Sequence, residues 1–253
     1  LEVRGLSRHF GGLKAVDGVD LHLDEGEGVS LIGPNGAGKT TAFNLLTGFI
    51  RPDAGAVRFD GRDIFRRRPD VISRMGMVRT FQLTRVLSKM TVIDNVMLAA
   101  RDQPGMRLDT ALFRRRAWRS REDEVRAQAL ALLDEVGIAS HADAYAATLS
   151  GGQRKLLELA RALMTHPRLV LLDEPMAGVN PTLGGRLLDY LARLRGERGL
   201  TVLFVEHDME AVMGRSDEVI VMAEGAVIAR GRPDEVRRDA RVIDAYLGAG
   251  TDD

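Results

Sequence analysis

Short apolar stretches of strand length recur along this chain and alternate with runs of helical spacing. Leu1 to Leu6 and Val19 to Leu23 alternate apolar and polar residues, the two-residue period of a half-buried strand. Between them, Phe10-Gly11-Gly12 reads as a turn. Gly28 to Ile32 is short and mainly apolar, the pattern of a buried strand, and a glycine-rich loop follows from Gly33. Thr40 to Gly48 has helical spacing, with Gly48 as a stop signal. Ala56 to Phe59 reads as a strand that turns at Asp60-Gly61, and Met75 to Phe81 as another strand. From about Thr91 to His166 the pattern is largely helical. There the acidic triplet Glu122-Asp123-Glu124 predicts the start of a long amphipathic helix reaching Val136, because a helix N-terminus favours negative charge. Arg168 to Leu172, Thr201 to Val205 and Glu218 to Met222 are apolar strands between helical segments. Strand and helix in alternation predict an α/β fold with a mostly parallel sheet. The central helical block predicts a subdomain inserted into it.

Composition narrows the function classes. The chain has 253 residues, of which 45% are hydrophobic and 28% charged, as expected for a globular protein with a sizeable core. Its 36 basic and 36 acidic residues cancel, which argues against a nucleic-acid partner. It has no cysteine, which excludes disulfides and thiolate metal sites. No apolar run approaches the roughly 20 residues of a membrane span, and the sequence from Leu1 onward shows no signal-like segment, so the expected location is cytoplasmic.

The clearest chemistry lies in Gly33-Pro34-Asn35-Gly36-Ala37-Gly38-Lys39-Thr40-Thr41. A Gly-x-x-x-x-Gly-Lys-Thr run between a strand and a helix cradles phosphate on backbone N–H groups at a helix N-terminus. Lys39 is placed to reach the β- and γ-phosphates and the Thr40 hydroxyl to bind Mg²⁺. Asp173 ends an apolar strand, which places its carboxylate near that loop as a second Mg²⁺ oxygen. Glu174 follows, and Pro175 is expected to hold it in extended geometry. Leu149-Ser150-Gly151-Gly152-Gln153 opens a helical run to Leu163, with Ser150 as N-cap. It is a second anion-attracting helix start on one chain.

The phosphate loop, Leu149 to Gln153, and Leu171-Leu172-Asp173-Glu174-Pro175, in this order, resemble the ATP-binding cassette (ABC) family. The resemblance runs from Leu1 to Leu247. It implies a P-loop NTPase fold: a RecA-like core, an antiparallel β subdomain and an inserted helical subdomain. The boundaries implied are 1–82 and 159–253 for core and β subdomain, and 83–158 for the helical subdomain with the signature motif. It also implies roles. Glu174 polarises the attacking water, His207 contacts the γ-phosphate, Gln82 senses Mg²⁺ and γ-phosphate, and Phe10 stacks on adenine. Ser150, Gly151, Gly152 and Gln153 close over ATP held by a second cassette, identical or not. ATP and Mg²⁺ are the ligands implied, and transmembrane permease subunits the partners, with the cassette peripheral at the cytoplasmic membrane face.

Three segments resemble the ATPases of branched-chain amino-acid importers: Arg79-Thr80-Phe81-Gln82, Ala177-Gly178-Val179-Asn180-Pro181, and Val242-Ile243-Asp244-Ala245-Tyr246-Leu247-Gly248. Urea importers and lipopolysaccharide-export ATPases share parts of them. Asn180 stands where most of the family has Asp, which removes a charge. The rival class is a soluble ABC protein acting on DNA or ribosomes. The roughly 110 residues between phosphate loop and signature are too few for a long coiled coil, and each motif occurs once. A phosphate-loop kinase leaves Leu149 to Gln153 unexplained. Arg114 to Arg119 reads as a solvated helix face before a lipid-facing one, and Met75, Met77, Met90 and Met97 as core packing before a docking pocket.

Overall fold

The computed structural model describes residues 1–80, 86–101, 115–205 and 216–248. Contacts divide the chain into two units, the first comprising Leu1–Arg79, Arg168–Glu174 and Arg193–Asp253, the second Thr80–Pro167 and Pro175–Ala192.

Two sheets build the first unit. Strands β1 (Glu2–Phe10), β2 (Leu13–His22), β4 (Ala54–Phe59) and β5 (Arg62–Asp63) form an antiparallel sheet in the order β2-β1-β4-β5. Both of its first strands run longer than their alternation predicts, and the turn shrinks to Gly11-Gly12. The second sheet has six strands in the order β10-β9-β3-β8-β7-β6. Here β3 is Gly28–Ile32, β6 Met77–Arg79, β7 Leu169–Asp173, β8 Thr201–Val205, β9 Glu218–Ala223 and β10 Ala226–Gly231. All pairs are parallel except β9 with β10. Every residue of β3, β7 and β8 is buried, which is why they read as nearly continuous apolar runs. Strand β10 escaped the sequence reading. It is an edge strand behind the two-residue turn Glu224-Gly225, both at positive φ, a hairpin signal weaker than Asn-Gly or Asp-Gly.

Between the sheets lies a core that includes Leu6, Val16, Leu31, Phe43, Leu46, Leu171 and Leu203. Phe43 and Leu46 come from helix α1 (Lys39–Leu46), so the helix that opens at the phosphate loop is fixed by the core. Helix α2 (Pro69–Arg74) precedes β6, and α7 (Pro233–Val236) and α8 (Ala240–Gly248) close the chain. Met77 is buried in this core and Met75 packs against it, as expected of packing residues.

In the second unit, α3 (Val92–Met97), α4 (Arg115–Glu135) and α5 (Gly151–Met164) pack against one another. Helix α4 is already formed at Arg115, so Glu122-Asp123-Glu124 sits two turns inside it and not at its start. An acidic first turn contributes only about 0.3–1 kcal/mol. What holds the helix is its buried stripe, Val125, Ala129 and Leu133 at four-residue spacing. Asn95, fully buried on α3, accepts from the Leu87 N–H and donates to the Leu87 and Thr91 carbonyls, pinning that loop to the helix. Met90 and Met97 are half-buried here. Arg114 lies outside the described residues.

Candidate functional site

The strand order decides which loops meet. The phosphate loop follows β3 and Asp173 ends β7; with β8 between them, they emerge two strands apart at the same end of the sheet. At one strand spacing each, that is about 10 Å. Ligands of open α/β sheets bind at this C-terminal edge.

Gly33 and Gly38 cannot carry a side chain. Their φ angles are 148° and 96°, and a Cβ would come within 2.0 Å of the Met222 carbonyl oxygen and 2.2 Å of the Ala15 carbonyl oxygen. The loop is therefore a tight backbone cradle, clamped by β9 on one side and β2 on the other. Gly38 in left-handed geometry is the N-cap of α1, without a side-chain hydrogen bond, so the first N–H groups of the helix face the cradle. Lys39 Nζ donates to the Gly33 and Pro34 carbonyls at 2.6 and 2.9 Å. Burial lowers its pKa, against the pull of the Glu174 and Asp173 carboxylates. Lys39 thus shares one electrostatic neighbourhood with Asp173 and Glu174, more than a hundred residues away in sequence.

Asp173 is buried, and its Oδ2 accepts from Arg79 Nη2 at 2.8 Å; the two side chains are only 2% and 5% exposed. Arg79 Nη1 donates to Asn44 Oδ1 at 2.6 Å. Nothing in the sequence flagged this bridge beyond the presence of Arg79 in a family segment.

Glu174 departs from expectation. Its φ is +46°, left-handed and not extended, despite the bias of a residue before proline. Its N–H still bonds the Val205 carbonyl at 3.0 Å. The amide stays in the β7–β8 ladder while the chain turns out of the sheet, and that conflict is resolved by a strained backbone.

In the second unit, Ser150 caps α5 as its sequence predicts. Its Oγ accepts from the Gln153 N–H at 3.2 Å, and Gln153 Oε1 accepts from the Ser150 N–H at 2.9 Å, a reciprocal capping box. Gln153 Nε2 also lies 3.3 Å from His141 Nε2, a neighbour the sequence did not single out. The two signature glycines differ. A Cβ on Gly152 would meet the Gly178 carbonyl oxygen at 2.6 Å, whereas a Cβ on Gly151 would meet nothing within 4 Å among the described residues beyond its own helix and chain neighbours. Asn180 Oδ1 accepts from the Thr182 N–H at 2.9 Å, with Pro181 opening helix α6 (Pro181–Arg198). An amide serves as that cap as well as a carboxylate.

Phe10 is 43% exposed at the end of β1 and so is not a core residue. The Arg8 guanidinium, paired with Asp53, lies 4.8 Å from its ring centroid. Gln82 and His207 lie outside the described residues. Among the described residues, no cluster of three or more His, Cys, Asp or Glu side chains could hold a metal. Mg²⁺ takes only one or two protein oxygens together with phosphates and water, and a hydroxyl and a carboxylate such as those of Thr40 and Asp173 are donors of that kind. No described helix is long and apolar enough to cross a membrane.

Known proteins match this chain along nearly its whole length. A family model described as ABC transporter matches residues 16–177, and one described as branched-chain amino acid ATP-binding cassette transporter matches residues 226–252. The high-affinity branched-chain amino acid transport ATP-binding protein BraF of Pseudomonas aeruginosa is 46% identical over 98% of this chain and 97% of its own length. A crystal structure of an ABC-transporter cassette in its ADP conformation is 35% identical, covers 98% of both chains and has a TM-score of 0.81. A dimeric, post-hydrolysis cassette bound to ADP and Pi is 25% identical, covering 92% of this chain and 98% of that one, with a TM-score of 0.76.

Proposed function

The chain belongs to the ABC transporter family, and from that premise we propose that it is the ATP-hydrolysing subunit of a branched-chain amino-acid importer. The observation that carries the ATPase reading is the gathering of Lys39, Asp173 and Glu174 at one end of the parallel sheet, beside a loop with no room for a side chain at Gly33 or Gly38. The substrate class rests on the likeness to BraF and on the match over residues 226–252.

In this reading the backbone N–H groups of Gly33 to Thr41 and the start of α1 hold the phosphates of ATP. Lys39 exchanges two neutral carbonyls for charged phosphate oxygens, a stronger class of hydrogen bond. Thr40 and Asp173 hold Mg²⁺, which when bound neutralises the charge on the transferring phosphate. Glu174 orients and deprotonates the attacking water. Phe10 offers its exposed ring to adenine, and Gln82 and His207 contact the γ-phosphate side. Residues 1–82 and 159–253 act as core and β subdomain, and 83–158 as the helical subdomain.

The open space around Gly151 supports a second cassette there. Two chains would sandwich each ATP between the Lys39 loop of one and the Ser150–Gln153 helix start of the other, coupled to transmembrane permease subunits at the cytoplasmic face of the membrane. Glu174→Gln tests this reading. It keeps the side-chain shape but cannot take the proton, so hydrolysis falls by about 10²–10⁴-fold. With ATP and Mg²⁺, light scattering then reports a stable dimer for Glu174→Gln and none for Glu174→Gln carrying Ser150→Arg. Turnover of Glu174→Gln at the wild-type rate removes Glu174 as the base; a persistent dimer in the double variant removes the sandwich.

A further inference from the structure

One guanidinium links the two elements that carry the metal-binding oxygens. Asp173 ends β7. Thr40 and Asn44 are four residues apart on α1, and residues at that spacing share a helix face one turn apart. Arg79, at the end of β6, reaches both elements: Nη2 to Asp173 Oδ2 at 2.8 Å and Nη1 to Asn44 Oδ1 at 2.6 Å. The guanidinium carbon lies over the Phe43 ring, 5.5 Å from its centroid, within cation–π range.

An ordinary stabilising role does not account for this arrangement. Two charges this deeply buried contribute little net stability compared with apolar side chains of the same volume. What a planar fork adds is direction, because its two donors diverge at a set angle and hold two acceptors at a set separation. The bond to Asp173 runs to Oδ2, so in the metal-binding reading Oδ1 would be the oxygen offered to a metal or its water.

We propose that Arg79 is a positioning residue that sets the spacing between Thr40 and Asp173, by tying Asp173 on β7 to Asn44 on α1. The proposal rests on the reading of Thr40 and Asp173 as the Mg²⁺-binding pair. In this reading Arg79 contacts Asp173 and Asn44 rather than nucleotide or metal. It acts through Asp173 and α1, and residues that orient metal-binding groups in this way typically alter metal affinity by 10–100-fold when removed.

Asn44→Ala is the informative variant. Asn44 is half-buried, and its truncation cuts the link to α1 while leaving Arg79 paired with Asp173, so the buried ion pair survives. Arg79→Lys is the companion, because an ammonium is a point charge that cannot hold both acceptors in one plane. Mn²⁺ is the probe, titrated into the full chain at saturating ADP and followed by loss of the free-ion resonance signal. The Mn²⁺ midpoint is expected to rise about tenfold in both variants, while ADP affinity measured in EDTA stays at the wild-type value. A purely structural role would lower the unfolding midpoint without moving the Mn²⁺ midpoint. A folded Asn44→Ala with the wild-type Mn²⁺ midpoint overturns the proposal. Asp173→Asn separates the two readings. If it shifts the Mn²⁺ midpoint and Asn44→Ala does not, the bridge alone is wrong. If Asp173→Asn leaves the midpoint unmoved, the metal-binding reading of Asp173 fails and takes the proposal with it.

Discussion

Replacing Glu174 by glycine should leave an inactive protein that is nonetheless more stable than the alanine variant. Glu174 sits at φ +46° immediately before Pro175. Left-handed geometry costs a residue bearing a Cβ about 1–2 kcal/mol, because the Cβ crowds the following carbonyl oxygen. Glycine escapes that cost but loses about 0.5–1 kcal/mol through its freer unfolded chain. The carboxylate also attracts Lys39, and any substitution that removes it forfeits that term. The clean comparison is therefore Glu174→Gly against Glu174→Ala, since both lose the carboxylate and differ in backbone freedom. Glycine should come out more stable by about 1 kcal/mol, the reverse of its usual standing against alanine. For a chain of this size that is about 2–4 °C in Tm, within reach of scanning calorimetry or urea titration. Both variants should have lost hydrolysis. If Ala matches or exceeds Gly in stability, the left-handed backbone carries no strain and the account given above of β7's exit is wrong.

Two further outcomes follow from the site. Lys39 bonds phosphate only when protonated, and burial lowers its pKa from the usual 10.5 in the nucleotide-free chain. ATP affinity should therefore be full at neutral pH and fall as pH rises through that lowered value, beginning below 10.5; a fluorescence titration flat up to 10.5 would contradict it. Gly152→Ala drives a Cβ to 2.6 Å from the Gly178 carbonyl oxygen and should lower stability by about 1–3 kcal/mol. Gly151→Ala meets nothing among the described residues and should unfold like wild type, yet weaken ATP-driven dimerisation of Glu174→Gln. Equal unfolding midpoints for the two alanine variants would refute the distinction.

The sequence alone carried the elements whose signals are local. The phosphate loop was legible because its glycines, lysine and threonine are contiguous and bracketed by a strand and a helix. The Ser150 cap was legible because its partner, Gln153, lies three residues on. β3, β7 and β8 were legible because strands buried on both faces are mainly apolar. The start of α4 was misread because an acidic first turn is a weak preference, while the packing of Val125, Ala129 and Leu133 is a strong one.

Tertiary structure decided what depends on strand order. It brought Asp173 and Glu174 to the same sheet end as Lys39, with β8 between their strands. It gave Glu174 a left-handed backbone where its neighbour Pro175 argued for an extended one. It assigned Gly152 to close packing against Gly178, and left Gly151 open, though the two are adjacent and identical. It joined Arg79 to Asn44, 35 residues away, and to Asp173, 94 residues away. Local pattern encodes which way a segment folds, because propensity and periodicity act over a few residues. Which segments lie side by side is set by burying those apolar strands in one particular order, and that order is a property of the whole chain.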